Sequence, residues 1–456
     1  MVLIKISEYI EMEENMLLEF RTKNYKSFVE EVKFSMLAAP KQKGLDYSLC
    51  IEKIKGKMCK GLPASVIYGP NAAGKTNIIG AMDVFRSIVL RGNIRNSEEK
   101  SSPNPASAAL ELIPNNKSTE PQPVEFALEF VENGLKIGYG VSLDLGVFLD
   151  SEYQRKILKE ELTVNGELIF SRDEKLQIGN LKEIKSYLAD SIYKKTDGLV
   201  EIARNSLNQE ELFLTNGFKL IFSQAFVKII IDWFMNKFMI IYRADSMQLI
   251  KRFVDPQKKA VYVEKTTDKA AKMFGINSNA VGYVVSEDDS EARLCSLFKD
   301  ANSGKTAAMA AELFESYGTI RFVNMFPLVI RAILTGGTLV VDEFDASIHP
   351  MALMSIINIF HNDDINIHHA QLVFNTHNPI FLNSNLFRRD EIKFVERDDS
   401  HYSTLYALSD FGTSGDKGVR MHEDYMKNYF VSQYGAIKDI DFTPIFEEII
   451  NAEGEV

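Results

Sequence analysis

The chain contains the stretch Gly69-Pro70-Asn71-Ala72-Ala73-Gly74-Lys75-Thr76-Asn77. Its residues from 69 to 76 match the P-loop pattern G-x-x-x-x-G-K-[ST], in which glycines let successive backbone N–H groups turn toward bound phosphates. The pattern has physical meaning between a strand and a helix. Residues 64–68 form a short apolar run before it, and apolar residues recur at helical spacing from Ile78 to Val89 after it. The stretch therefore predicts an α/β fold that binds a nucleotide.

The residue types of this loop predict its contacts to ATP and Mg²⁺, the two expected cofactors. Lys75 is expected to reach the β- and γ-phosphates, which also makes it a catalytic candidate, and the Thr76 hydroxyl is expected to ligate Mg²⁺. The helix that follows adds the positive end of its dipole. We therefore predict that all of residues 69–77 contact the nucleotide.

A second motif is an apolar run that ends in two carboxylates, Leu339-Val340-Val341-Asp342-Glu343. A buried strand at this place delivers Asp342 to the Mg²⁺ opposite Thr76, and it leaves Glu343 to polarise an attacking water. We therefore predict Asp342 as a metal ligand and Glu343 as the catalytic base. His377 follows the next predicted strand, where its imidazole is a catalytic candidate expected to sense the γ-phosphate.

Length and composition indicate a globular protein. The chain has 456 residues and 45% hydrophobic content, enough for roughly two or three domain-sized units. Cys50, Cys59 and Cys295 lie far apart without metal-binding spacing, so we expect neither disulfides nor a zinc site. This cysteine usage is typical of a reducing cytosol, and we expect a cytoplasmic location.

Charge and hydropathy limit the possible partners. The net charge of −11 argues against a generally basic nucleic-acid surface. Local basic groups, residues 53–60 and Arg388-Arg389, leave DNA contact open but not favoured, because such groups are more often solvated surface charge. The apolar residues 225–241 are interrupted by charges and are fewer than a bilayer requires. They therefore predict a buried helix, and we expect no membrane partner.

The order of five motifs resembles the ABC-type ATPase heads of the SMC, RecF and Rad50 group. In chain order they are the P-loop, Glu315-Ser316-Tyr317-Gly318-Thr319, Val341-Asp342-Glu343, Asp345-Ala346-Ser347-Ile348-His349-Pro350 and Thr376-His377. More narrowly, residues 315–319, 342–350, 389–390 and 429–436 resemble the AAA-named, ABC-like ATPases of abortive infection and phage defence. This resemblance covers nearly the whole chain from Met16.

The resemblance implies roles for residues outside the P-loop. Ser316 and Gly318 stand in the signature motif, residues 345–350 in the D-loop, and His377 in the place of the switch histidine. In such heads the signature offers a hydroxyl and backbone N–H groups to the γ-phosphate on a partner's P-loop. A homodimer or higher homo-oligomer joined through ATP-bound heads is therefore implied. Residues 24–28 look like the element whose aromatic residue lies near the base.

Two departures from the resemblance are visible. The signature lacks the usual second glycine, and we assign no Q-loop glutamine between the P-loop and Phe130. The segment after His377 is neither long enough nor acidic enough to hold the Toprim nuclease domain of related proteins, so nuclease activity within this chain is not expected.

We expect an α/β fold, a P-loop NTPase with an ABC-type ATPase head, an antiparallel β portion and an inserted helical arm. In chain order the predicted units are an N-terminal extension (1–15), the first part of the head with the P-loop and β portion (16–180), the helical arm (181–300), the second part of the head with signature, Walker B motif and switch histidine (301–400), and a C-terminal tail (401–456). Alternating segments predict strands at 20–23, 32–36, 124–130 and 137–145, whereas residues 93–122 predict a loop.

The resemblance further implies an ATPase that uses ATP-controlled dimerisation as a switch in bacterial antiphage defence. Such a protein would sense a phage-derived trigger and control a separately encoded effector or toxin. Two alternatives stay open. One is a RecF-like or SMC-like repair ATPase that clamps DNA, and the other is an ATP-bound scaffold of low turnover that holds a toxin inactive. ATP hydrolysis follows from the residues, whereas the defence role follows from the resemblance alone.

Overall fold

The structure is a computed structural model. It describes residues 15–40, 42, 44–95, 110–150, 153–194, 196–205, 207–242, 260–262, 265–273, 280–285, 292–299, 304, 306–413, 418–420, 422–438 and 440–453. The predicted N-terminal extension lies outside the described residues up to residue 14, and so do residues 96–109 of the predicted loop.

The secondary structure alternates between strand-rich and helix-rich stretches. The strands are β1 Asn15–Lys23, β2 Val32–Ser35, β3 Cys50–Ile54, β4 Lys57–Gly61, β5 Ala64–Tyr68, β6 Val124–Glu132, β7 Leu135–Asp144, β8 Lys156–Val164, β9 Glu167–Arg172, β10 Leu176–Ile178, β11 Phe238–Ile241, β12 Ala260–Tyr262, β13 Ala280–Val285, β14 Ala292–Lys299, β15 Thr306–Ala310, β16 Thr338–Val341, β17 Gln371–Asn375, β18 Ile392–Arg397 and β19 Ser403–Ala407. The helices are α1 Lys75–Arg91, α2 Asp190–Lys194, α3 Thr196–Asn205, α4 Lys219–Ile221, α5 Gln224–Asp232, α6 Lys265–Met273, α7 Ala311–Phe314, α8 Tyr317–Thr335, α9 Pro350–His361, α10 Tyr425–Phe430 and α11 Thr443–Glu453.

A six-stranded sheet in the order β11-β16-β17-β5-β18-β19 positions the site. Its strands run parallel except β19, which is antiparallel to β18. Every residue of β5, β16 and β17 is buried, as expected where helices cover both faces of a parallel sheet. Because these strands are parallel, their carboxyl ends lie at one edge of the sheet. The residues that follow β5, β16 and β17 therefore meet there.

A seven-stranded antiparallel sheet, in the order β10-β9-β8-β7-β6-β1-β2, forms a second layer and confirms the predicted antiparallel β portion. Helix α1 links the two sheets. Its Phe85 contacts the rings of Phe20, Phe126 and Tyr139, at centroid distances of 6.3, 6.0 and 6.0 Å. The helix that begins at the P-loop is thus held in one aromatic core with the β portion.

The described part of residues 181–300 is mainly helical, as predicted, but it also contains strands that the sequence did not predict. Strand β11 joins the parallel sheet beside β16, and β12 to β15 form a separate antiparallel sheet. Residues 280–285 consist largely of Val and Tyr and show no helical spacing. Because β-branched and aromatic residues favour strands, this segment pairs as a strand, although the mixed charge of the region predicted a helix. Residues 195, 206, 243–259, 263–264, 274–279, 286–291 and 300 of the arm lie outside the described residues.

The buried helix predicted over residues 225–241 is helical as far as Lys237, and only its last four residues need correction. Helix α5 ends at Asp232, a π-helical turn covers Trp233–Lys237, and the chain then enters β11. The apolar residues of β11 are used for parallel pairing with β16 and not for a further helical turn. Within the described chain, α8 is the one helix long and apolar enough by composition to cross a membrane. Half of it is buried, and its Phe322 and Met325 belong to the core beside the parallel sheet.

Candidate functional site

The P-loop connects β5 to α1 and needs glycine at two positions. Gly69 has a φ of +154° and Gly74 a φ of +113°, a region that side chains disfavour. A Cβ on Gly69 would lie 2.2 Å from the Val395 carbonyl oxygen. A Cβ on Gly74 would lie 2.8 Å from the Oγ of Ser27 and of Ser403. The loop is therefore packed closely on its outer side, and only glycine leaves its backbone in this shape.

Lys75 is buried at the first turn of α1. Its Nζ donates hydrogen bonds to the carbonyl oxygens of Gly69, at 2.7 Å, and Pro70, at 3.0 Å. Burial lowers the pKa of Lys75 to about 8, although the carboxylates of Asp342 and Glu343 act in the opposite direction. Phosphate groups at the loop would add negative charge and favour the protonated amine. The electrostatics of Lys75 thus suit an anionic ligand.

Thr76 and Asp342, the two residues predicted to hold Mg²⁺, meet at the edge of the parallel sheet. The Thr76 hydroxyl donates to Asp342 Oδ1 at 3.0 Å, and Asp342 is 2% exposed. A hydroxyl and a carboxylate in contact are the protein ligands with which Mg²⁺ is held when phosphates and waters complete its octahedron. Among the described residues no three His, Cys, Asp or Glu side chains form a metal cluster. The donor set therefore fits Mg²⁺ bound together with a nucleotide.

Glu343 follows directly and has an unusual backbone. Its φ is +50°, and its side chain is exposed beyond the end of β16. Two groups hold this backbone: the side-chain oxygen of Asn375 accepts a hydrogen bond from the Glu343 N–H, and Arg321 Nη2 donates to the Glu343 carbonyl at 2.5 Å. Asn375 Nδ2 also donates to Asp342 Oδ1 at 2.5 Å. Asn375 thus orients the carboxylate of Asp342, and Asn375 and Arg321 together fix the backbone of Glu343.

Asn375 and Arg321 were missed from the sequence. Asn375 is the last residue of β17 and 1% exposed, and Arg321 lies in the apolar helix α8 and is 3% exposed. A polar residue inside an otherwise apolar buried element is the signal that was available, because buried polar groups need partners. Ser403 was missed because its contact joins residues that lie far apart in the sequence. Its Oγ donates to the Ala73 carbonyl at 2.6 Å, across 330 residues of sequence.

The residues predicted as the signature form the start of α8. Ser316 caps α8, its Oγ accepting a hydrogen bond from the Thr319 N–H at 3.1 Å, and it is exposed. Gly318 is buried against the D-loop, where an added Cβ would lie 2.0 Å from the Ser347 carbonyl oxygen. Within the described residues, no hydrogen bond joins Ser316 or Gly318 to residues 69–77. The structure thus joins the signature to the D-loop and leaves Ser316 facing outward.

His377 lies next to the P-loop on the same edge. It is exposed after β17, and burial and the nearby Lys75 amine lower its pKa against the opposing effect of the acidic residues around it. His377 also lines a cleft of about 560 Å³ together with Gly69, Asn71 and part of the C-terminal tail, including Tyr429, residues 437–438 and residues 440–442. A neutral imidazole at this cleft is available as a hydrogen-bonding group.

Two further expectations need correction. Tyr25 and Phe28 are fully buried, and Tyr25 packs 5.4 Å from Phe126, so neither ring presents a face to a base. The segment supports the P-loop instead, because Asn77 Nδ2 donates to Ser27 Oγ at 2.8 Å.

The Arg388-Arg389 pair is likewise not available to phosphates. Each residue is 4% exposed, and Arg388 is paired with Asp390 at 3.0 Å and with Asp46 at 2.8 Å. Arg389 donates to the carbonyl oxygens of Leu408 and Gly412. These cations hold the fold together.

The chain has a P-loop between a strand and a helix, a buried strand followed by Asp342 and Glu343, and a signature turn that starts a helix. Together these elements define a P-loop NTPase with an ABC-type ATPase head. The chain belongs to the family described as "AAA domain, putative AbiEii toxin, Type IV TA system", whose model matches residues 64–383. Among solved structures it is similar to an SMC head domain from Thermotoga maritima, with 14% identity, a TM-score of 0.36, and coverage of 86% of this chain and 98% of that one. It is also similar to an SMC head bound to the C-terminal winged-helix domain of ScpA, with 12% identity, a TM-score of 0.37, and coverage of 86% and 97%. No curated protein sequence matches the chain.

Proposed function

We propose that this protein binds and hydrolyses ATP and uses ATP-controlled dimerisation as a switch. The observation that carries the proposal is the hydrogen bond between Thr76 and Asp342 at a sheet edge that also holds Lys75 and His377. Residues 69–77 would cradle the phosphates with backbone N–H groups, and Lys75 would turn from the loop carbonyls to the β- and γ-phosphates. Bound Mg²⁺, held by Thr76 and Asp342, would supply charge neutralisation on the transferred phosphoryl group.

Glu343 is the proposed base in this scheme. Its carboxylate lies beyond the strand end, and it would accept a proton from the attacking water while Asn375 and Arg321 hold its backbone. His377 would contact the γ-phosphate from the side of the cleft. Lys75 and His377 would therefore respond to the presence of the terminal phosphate.

The exposed signature supports a composite site. Ser316 is exposed at the start of α8 and bonds to no residue of its own P-loop among the described residues. The N-terminus of a 19-residue helix is a suitable donor for an anion. We infer that Ser316 and Gly318 complete the nucleotide site of a second copy. ATP would then favour the dimer, and hydrolysis would release it, because the γ-phosphate contacts exist only in the bound state.

A complementation experiment tests the composite site. Lys75→Ala removes nucleotide binding, and Ser316→Arg blocks the signature while leaving nucleotide binding in its own P-loop. Each variant alone is expected to be inactive. In an equal mixture, half of the dimers pair one variant with the other, and each such dimer retains one intact site, so about a quarter of the wild-type rate should return. Inactivity of the mixture, despite proven heterodimers, would refute the trans-acting signature.

We further propose that the switch serves bacterial antiphage defence, sensing a phage-derived trigger and controlling a separately encoded effector. The family description, with its toxin and type IV toxin–antitoxin terms, supports this role. Cells that carry the wild-type chain with its neighbouring genes should resist a sensitive phage, and cells with Lys75→Ala should not. Equal plaque numbers on both strains would show that the defence does not depend on ATP binding. Hydrolysis stimulated by DNA with a steep salt dependence would instead favour a DNA clamp.

A further inference from the structure

Helix α11 carries an uncovered apolar stripe. Ile445, Phe446, Ile449 and Ile450 are each at least half exposed, and every residue from 441 to 451 is exposed. Their spacing of one, three and one residues places these four side chains on one face of the helix. Glu447 and Glu448 lie between them in the sequence, and with Glu453 they give the helix its negative charge.

A helix of this kind needs a partner to be stable. α11 has 11 residues, and isolated helices shorter than about 12 to 15 residues are marginal in water. Most helical stability in proteins comes from burying an amphipathic face. The described part of the chain buries none of the four stripe residues, so the covering surface is to be sought on another molecule.

The position of α11 indicates which molecule covers it. The residues directly before the helix, Ile440 to Phe442, line the cleft that also contains Gly69, Asn71 and His377. At about 1.5 Å per residue the helix extends roughly 16 Å from this cleft. Any surface brought to the γ-phosphate side of the P-loop therefore arrives next to α11.

The signature segment, defined here as residues 312–317, carries a matching apolar patch. Leu313 is 81% exposed, and Phe314 and Tyr317 are about half exposed on either side of Ser316. The composite site requires a partner's Ser316 at the P-loop cleft. These three side chains would therefore be carried to the stripe of α11.

The surroundings of the signature segment carry charges of both signs. Helix α6 packs beside α7 and α8, because its Ala271 shares a core cluster with Ala311 and Val323. It exposes Lys269 and Lys272 next to the signature side. The glutamates of α11 would meet Lys269 in a dimer. Lys272 is paired with Asp268 at 2.8 Å, and Glu312 and Glu315 of the signature segment add like charge, so the docking is carried by the apolar patch and not by charge.

We propose that α11 docks on the signature segment of a second copy of this chain in the ATP-bound dimer. The docking rests on the composite dimer proposed above. A two-fold axis makes the contact twice, once for each tail and each signature. The stripe would then act as a clasp that adds apolar contact to the two nucleotide sites and selects a second copy of this chain as the partner.

Cysteine cross-linking tests the contact in the Glu343→Gln background, which is expected to hold the dimer. One tagged copy carries Phe446→Cys, an untagged copy carries Leu313→Cys, and a short bis-maleimide joins the two thiols. We expect a cross-linked heterodimer that requires Mg-ATP. Leu220→Cys, exposed to 77% on α4, is the matched control for the Leu313 position, and the parent chain shows the background of native Cys59.

A disruptive variant provides the second measurement. Ile449→Asp should weaken ATP-dependent dimerisation of Glu343→Gln about tenfold or more, as expected for a charge placed in a buried apolar contact. Binding of ATP to the monomer should not change, and Leu220→Asp should have no effect on either quantity. If the Glu343→Gln dimer forms but neither the cross-link nor the Ile449→Asp effect appears, the docking is refuted and the composite site stands. A single chain that carries both Phe446→Cys and Leu313→Cys and cross-links within itself without ATP would assign α11 to its own signature segment. Failure of Glu343→Gln to dimerise at all would refute the proposed function first, and the docking with it.

Discussion

Replacing Gly318 by alanine tests whether the signature and the D-loop are mechanically joined. The added Cβ would lie 2.0 Å from the Ser347 carbonyl oxygen and 3.0 Å from its carbonyl carbon. Ordinary contact begins near 3.4 Å, so the two backbones must separate by about 1.4 Å. The added Cβ is fixed to the backbone and the group that it meets is a backbone carbonyl, so no side-chain rotation can relieve the contact. Either the start of α8 or residues 345–348 must move.

The expected effects follow from this displacement. A misplacement of about 1 Å in a catalytic arrangement can cost on the order of 100-fold in rate, so ATP hydrolysis by Gly318→Ala should fall by that order. Overpacking of a close contact typically costs about 1–3 kcal/mol in unfolding free energy, and the better helix propensity of alanine offsets up to about 1 kcal/mol of it. Nucleotide affinity of the monomer should stay unchanged, because Lys75 and Thr76 do not contact Gly318.

The assay compares steady-state ATP hydrolysis, equilibrium ATP binding and urea unfolding for Gly318→Ala and Gly198→Ala. Gly198 lies in α3, and an added Cβ there meets nothing within 4 Å. Its substitution should leave the rate unchanged and stabilise the protein by up to about 1 kcal/mol. A Gly318→Ala rate within about twofold of the wild-type rate would refute the coupling of signature and D-loop, since the contact would then have relaxed without consequence.

Three further predictions concern buried polar groups. Lys75 has a pKa of about 8, and bound phosphate should raise this pKa. Above pH 8, ATP binding should therefore take up roughly half a proton or more, and ATP affinity should fall as pH rises. Calorimetry in two buffers measures this proton uptake. Asn375→Leu should lower ATP hydrolysis about 10- to 100-fold by releasing the Glu343 backbone, with a smaller change in ATP affinity in a binding titration. Burial opposes protonation of His361, but the Glu391 carboxylate at 2.9 Å outweighs it and raises the pKa above 6.5. The stability from this pair is present below pH 6.5 and lost as pH rises through the raised pKa, and urea unfolding of Glu391→Gln should not show that loss.

The elements around the site could be predicted from sequence where local signals bound them. Residues 64–68 form β5 and residues 338–341 form β16 as predicted, because each is a short apolar run ended by a glycine turn or by charged residues. The Thr76–Asp342 contact was predictable for the same reason. Two strands of a parallel sheet bring their carboxyl ends to one edge, whatever their distance in the chain.

The remaining features depend on contacts that local patterns do not carry. Strand β11 follows α5 with no glycine or proline between them, and its identity as a strand comes from pairing with β16 almost a hundred residues later. The role of Asn375 appears only when β17 lies beside β16, since its side chain then reaches both Asp342 and Glu343. Tyr25 reads as an accessible aromatic residue in a polar segment. Its burial against Phe126 is fixed by the β portion as a whole.

The most direct test of the composite-site switch is the solution mass of the Glu343→Gln variant with and without Mg-ATP. Wild-type protein and the double variant with Ser316→Arg are the controls. We predict a monomer without nucleotide, a shift to twice that mass with Mg-ATP, and no shift in the double variant. A Glu343→Gln protein that binds ATP and stays monomeric, beside a wild-type protein that hydrolyses ATP as a monomer, would contradict the account.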